Sequence, residues 1–119
     1  MLQGHPARLM RIHTSESDRF GDKPLYEAIV ARCRDLKIAG ATVFRGLEGY
    51  GEAGEMHKSH LTRHDRPIVI SIVDSADNMA QLVPVVEEMM DTGLMAVSDV
   101  HVIRVQNHAA AGPDGRPGE

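Results

Sequence analysis

Residues 67–73 read PIVISIV, and the two faces of that heptapeptide decide the fold. As a β-strand it sets Ile68, Ile70 and Ile72 on one side and Val69, Ser71 and Val73 on the other. DSADN (74–78) follows, rich in side chains that cap a helix start. Met79, Leu82, Val83, Val86, Met89 and Met90 then recur at helical spacing. Pro84 lies inside that pattern and predicts a kink, because it removes one backbone bond. Gly93 is the expected helix stop, and VHVIRV (100–105) the strand beyond it.

Upstream the same scheme occurs once more. ARLMRIH (7–13) is a strand with Met10 and Ile12 on one face and Leu9 on the other. Asp22 and Pro24 form a helix-start signal, a capping carboxylate followed by a proline where its missing N–H costs least. Leu25, Ile29, Cys33 and Leu36 then keep helical spacing, Gly40 supplies the stop, and ATVFRGL (41–47) is the next strand. A doubled strand–helix–strand unit predicts an α+β fold, the ferredoxin-like β-α-β-β-α-β plait. Its four-stranded antiparallel sheet carries both helices on one face. We expect one domain over residues 1–106. The remainder, NHAAAGPDGRPGE (107–119), has no apolar period and is expected to be a disordered tail.

Two helices leave one sheet face bare. The third and fourth strands are nevertheless apolar on both sides. Val69 and Val73 oppose the isoleucines, and Ile103 and Val105 oppose Val100 and Val102. A second protein surface is therefore expected on that face, and self-association is the economical way to supply it.

Composition narrows the function. The chain has 119 residues, with 13 Lys and Arg against 17 Asp and Glu, a formal charge of −4. An acidic chain whose only aromatics are Phe20, Tyr26, Phe44 and Tyr50 lacks the basic face and stacking platforms of a nucleic-acid binder. One cysteine, Cys33, excludes an intramolecular disulfide, and its place among core helix positions predicts an inert thiol. No apolar run suits a membrane span or a secretory signal, so a cytoplasmic protein without membrane insertion is expected.

The connection between the second and third strands is the departure from the plain plait. EGYGEAGEMHKSHLTRHDR (48–66) is far longer than a hairpin needs, and such loops are functional or disordered. Gly46, Gly49, Gly51 and Gly54 at its base let backbone approach a ligand, or simply make it flexible. It is no Walker loop, since no Gly-Lys-Ser/Thr follows. His57, His60 and His64 stand at i, i+3 and i+7 and form a zinc-compatible set, which Glu55 or Asp65 could complete. A metal-binding module on these histidines is the alternative function. Arg8, Arg11, Arg45 and Arg104 could line an anion pocket between subunits or pair with carboxylates, and Arg45 and Arg104 flank the predicted cleft. Ser15 and Ser17 have no evident acid–base partner, and Glu87 and Glu88 point apart on their helix. No catalytic set emerges, so the chain is not expected to be an enzyme.

DKPLYEAIVARCRDLKIAGATVFRGLEGYG (22–51), the histidine-containing loop, RPIVISIVDS (66–75) and MDTGLMAVSDVHVIR (90–104) together resemble the PII-like domain-of-unknown-function 190 family. The resemblance spans residues 7–105. It implies a homotrimer with inward-facing sheets, a mobile loop between strands two and three, and a signalling role. PII proteins bind adenine nucleotides in clefts between subunits and change partner binding through that loop. By the same resemblance Gly46, Gly49 and Gly51 at the strand-two exit, and Thr92 and Gly93 after the second helix, are ligand-binding candidates. The expected partner is a membrane transporter or channel. TGLMAVSD lacks the lysine of the PII Gly-Asp-Gly-Lys pattern, and the chain after Arg104 lacks the basic C-terminal segment. Fewer charge-assisted bonds to phosphate favour a less charged nucleotide or another small anion over ATP.

Overall fold

The computed structural model describes residues 4–50 and 65–107. In chain order it contains β1 (His5–Ser15), β2 (Arg19–Phe20), β3 (Lys23–Pro24), α1 (Leu25–Asp35), β4 (Ala41–Arg45), β5 (Pro67–Asp74), α2 (Ala76–Met89) and β6 (Leu94–Val102). The main sheet runs β4-β5-β1-β6 with every neighbour antiparallel, the ferredoxin-like order. β2 and β3 form a small separate hairpin, which the polar sequence between β1 and α1 did not announce.

Cross-strand register fixes the faces, because residues directly opposite in an antiparallel pair share a side. Met10 faces Ile72, and Ile12 faces Ile70. Val43 also faces Ile70. Both helices pack on that side. Leu25, Ala28, Ile29 and Cys33 of α1 and Met79, Leu82, Val86 and Met89 of α2 close a single core over Ile68, Ile70 and Ile72. Each fully buried aliphatic side chain there contributes about 1.5–3 kcal/mol relative to exposure.

The element ends correct several expectations. Asp22 does not cap α1. It sits in the β2–β3 turn, where its carbonyl accepts from Arg19 Nη2 at 2.7 Å. Pro24 itself occupies the N-cap with no side-chain cap, and the Leu25 N–H donates to the Asp18 carbonyl at 2.8 Å. Nor does Gly40 stop the helix. Lys37 takes the left-handed conformation (φ 62°) just after α1, with Ile38 N–H donating to Cys33 O and Lys37 N–H to Arg34 O. That is a Schellman ending with lysine where glycine is usual. At the other helix Ser75 caps as expected, its Oγ accepting from Asn78 N–H at 3.1 Å. α2 continues through Pro84, whose ring lies on the exposed side.

β6 starts six residues before the expected strand and ends at Val102, so Ile103 and Val105 lie beyond the sheet and do not oppose Val100 and Val102. The bare face is built instead by Phe44 on β4, Val69 and Val73 on β5, Leu9 on β1, and Leu94 and Val100 on β6. Phe44 and Leu94 are each 56% exposed, large for aromatic and leucine side chains on a sheet. No helix among the described residues is long and apolar enough to cross a membrane. Apart from Asn107, the tail expected from 107 to 119 lies outside the described residues.

Asp74 closes the joint between β5 and α2. Partial burial pulls its pKa up, but hydrogen bonds from Ala39 N–H, Ser75 N–H and Asn78 Nδ2 outweigh that and hold it below the ordinary aspartate value. The charged form is thus favoured by folding, so this stabilisation is present at neutral pH and is lost as pH falls through the folded-state pKa. Asp74→Asn is expected to lower the melting temperature at pH 7 by several degrees. The gap to the parent chain should close in melts recorded progressively below pH 4. A gap independent of pH would show that the charge contributes nothing.

Candidate functional site

The long β4–β5 connection is rooted on the segment that leaves β1, and this is where the side-chain chemistry converges. Arg45, the last residue of β4, sends Nε and Nη2 to one oxygen of Glu16, at 2.9 and 2.8 Å. The next backbone group, Gly46 N–H, donates to Pro67 O at 2.7 Å and extends the β4–β5 ladder by one bond. At the other root, Ser17 Oγ donates to Asp65 Oδ1 at 2.7 Å, and Glu16 N–H donates to Arg66 O at 2.8 Å. Asp18 stiffens the segment from within, its Oδ2 accepting from Ser15 N–H at 2.9 Å while Asp18 N–H returns to Ser15 O. Four consecutive residues, 15–18, therefore tie down both ends of the connection.

The glycines of the base have a packing reason. A Cβ on Gly46 would lie 2.8 Å from Pro67 Cγ, and one on Gly49 would lie 3.0 Å from the same atom. Backbone crosses the proline ring at both positions, which only glycine allows without displacement. Gly93 answers a different demand. It takes φ 117°, and a Cβ there would stand 2.5 Å from His13 O. Its role is this close passage into β6. It does not stop α2, which ends at Met89 with Met90 already extended.

The remaining candidates spread across the sheet. Thr92 and Gly93 enter β6 at the same end of the sheet as Arg45, but three strand spacings away, roughly 14 Å. Arg104 follows the far end of β6, and that end lies roughly 30 Å from Gly93 along the strand. Within the chain Arg45 and Arg104 do not meet. Gly51, His57, His60 and His64 lie outside the described residues. No group of three or more His, Cys, Asp or Glu able to hold a metal occurs among the described residues. A shallow groove of about 290 Å³ between α1 and Val43 of the β4 edge is lined by Tyr26, Glu27, Val30, Ala31 and Arg34, none of them a sequence-predicted site residue. Cys33 is buried, and burial pushes its thiol pKa up, as expected of an inert core cysteine.

With this geometry in hand, comparison with known proteins is direct. The DUF190 family model, described as Uncharacterized ACR, matches residues 7–102. The chain belongs to the DUF190 family. A UPF0166 protein of Aquifex aeolicus is 35% identical over 98 residues, covering 81% of this chain and 92% of that protein. Another UPF0166 protein, from Methanocaldococcus jannaschii, is 30% identical over 105 residues, covering 86% and 96%. Among solved structures, CPII of Thiomonas intermedia K12, a nitrogen regulatory PII-like protein bound to ADP, AMP and bicarbonate, superposes with TM-score 0.61 at 15% identity, covering 85% of this DUF190 chain and 99% of CPII. A protein of Thermus thermophilus described as PII-like superposes with TM-score 0.59 at 18% identity, over 83% and 90%. These likenesses establish the PII-like fold that the sequence resemblance implied.

Sequence reasoning missed Glu16 and Asp18, set Ser17 aside, and weighed Asp65 only as a zinc ligand. The two ties span 29 and 48 residues of sequence, and nothing local marks their ends. It missed Thr14 as well. This side chain is 8% exposed, faces Ile68 beside the Arg45 root, and its Oγ1 has no hydrogen-bond partner among the described residues. Thr14→Val removes that unsatisfied hydroxyl at constant shape and is expected to stabilise the fold by about 1 kcal/mol, read as a higher urea midpoint. A loss of similar size would mean that the hydroxyl has a partner.

Proposed function

We propose that this DUF190 chain is a cytoplasmic, non-enzymatic, PII-like homotrimeric regulator. In this reading it binds a small phosphate-bearing ligand, an adenine nucleotide first among candidates, in clefts between subunits. The 48–66 loop is then presented to a partner, with a membrane transporter or channel as the expected class. Arg45, Gly46 and Gly49 form one wall of the cleft, and Thr92 and Gly93 a second. Gly51, outside the described residues, is a further ligand-binding candidate from the sequence resemblance alone. Arg104, at the far end of its own sheet, comes from a neighbouring copy.

The observation that carries the reading is the Arg45–Glu16 pair at the loop root. Both groups are partly solvated, with side chains 49% and 24% exposed, so the pair itself is weak, of the order of 1 kcal/mol or less. A phosphate arriving at the glycine-rich base offers Arg45 a more highly charged, bidentate partner. Capture of the guanidinium then releases Glu16, which lies beside the residue holding the loop's other root, Ser17 on Asp65. Ligand occupancy and loop conformation are thereby coupled through one arginine, and a ligand shifts the loop by its differential affinity for the two arrangements. The ADP and AMP held by CPII, which shares the fold, support a nucleotide as the guest.

Calorimetry with AMP, ADP, ATP and cyclic AMP on the assembled protein tests this. We expect binding of at least one of them, weakened about tenfold or more by Arg45→Gln, since a charge-assisted contact is lost. Glu16→Gln should tighten the same ligand by removing the competitor. Absence of heat with all four, or an Arg45→Gln variant that binds as the parent does, would overturn the proposal.

A further inference from the structure

Among the described residues, the bare sheet face has basic groups and no acid. Register sets Thr42, Ser71, Arg11 and Ala96 in one row from β4 to β6, with Phe44, Val69, His13 and Leu94 in the next. Val73, Leu9 and Ser98 form the row on the other side. The ionisable groups of this face are His5, Arg11 and His13. Asp74 and Asp99 both stand opposite Arg8, whose parity puts them on the helix side.

Arg11 differs from the other arginines of the main sheet. Arg8 holds Asp99 at 2.9 Å, and Arg45 holds Glu16. Arg11 has no hydrogen bond or ion pair among the described residues. Ser71 lies directly across from it and Thr42 one strand further, so two hydroxyls able to donate sit about 5 and 10 Å along the row. Around this polar centre the face is apolar, through Phe44, Val69, Leu94, Leu9 and Val73.

An apolar rim that docks on other copies takes its centre out of water, and the following step rests on that homotrimeric reading. A guanidinium offers five donors and accepts nothing, and left unpaired in a seam it is strongly destabilising. The same face on each further copy brings another Arg11 and, among the described residues, no carboxylate, so assembly gathers positive charge there without a counter-charge. We propose that the centre of the bare face is a binding site for a small oxyanion, held by the Arg11 fork and the Ser71 and Thr42 hydroxyls and taken up as copies assemble. Tetrahedral or planar oxyanions match the fork bidentately, whereas chloride does not. This site lies on the opposite side of the sheet from the Arg45–Glu16 pair, and the two are separable by mutation.

The experiment compares melting and sedimentation of the full chain in inorganic phosphate, in bicarbonate and in chloride at matched ionic strength. For the parent we expect a trimer whose melting temperature rises by several degrees in at least one oxyanion relative to chloride. Arg11→Gln should assemble at least as well as the parent in chloride and show no such rise, and Arg11→Lys should keep the charge but lose most of the response. A trimer indifferent to both oxyanions, or an Arg11→Gln variant that still responds, overturns this inference and leaves the homotrimer standing. A chain that stays monomeric in every buffer overturns both.

Discussion

Two helices can shield one side of a four-stranded sheet and no more, and the other features of this protein follow from how the second side is treated. On the shielded side Ile68, Ile70 and Ile72 meet both helices and are essentially inaccessible. On the bare side Phe44 and Leu94 stay more than half exposed, at opposite edges of the same row. Our proposal is that further copies cover this face, since apolar surface gains about 25 cal/mol per Å² when removed from water. Under that proposal, association would also create seams in which a ligand touches two copies. In one chain Arg45 and Arg104 stand at different ends of the sheet, and in the proposed assembly a neighbouring copy would unite them.

The loop root is the second organising feature. Segment 15–18 spends its polar groups on both ends of the β4–β5 connection, through Glu16 to Arg45 and Ser17 to Asp65. Neither tie is buried, and neither contributes much to global stability. In the proposed function their value lies in position, since exposed pairs at the loop root would be exchanged for ligand contacts at small cost. Buried core and exposed loop root are thus separated along the same strands, β1 and β4, by one or two residues.

The sequence carried the architecture because the isoleucine alternation of 67–73 and the doubled strand–helix–strand unit leave few other arrangements. It carried the Ser75 cap for the same local reason. What it did not carry was governed by tertiary contact. β6 was misplaced because Leu94–Asp99 lies at an edge with one face bare, so burial imposes no clean alternation there. Lys37 ends α1 in a conformation that propensity assigns to glycine, and Gly40 was the more visible candidate. Asp22 looked like a cap until the β2–β3 turn claimed it. At the site, the glycines were legible as close-approach positions, but the ring they cross, Pro67, was not. The pairing of Glu16 with Arg45 has no sequence signature, since register brings them together from strands that are not neighbours in the sheet.

The claim on which the assembly, the cleft and the anion site all depend is that copies cover the bare face. Sedimentation equilibrium on the parent chain and on Leu94→Asp, which sets a charge on that face without entering the core, tests it most directly. The account predicts a parent species of three times the 13.0 kDa chain mass and a folded monomer for the variant. A parent that sediments as a folded 13.0 kDa monomer, or a Leu94→Asp variant that assembles undiminished, would contradict it.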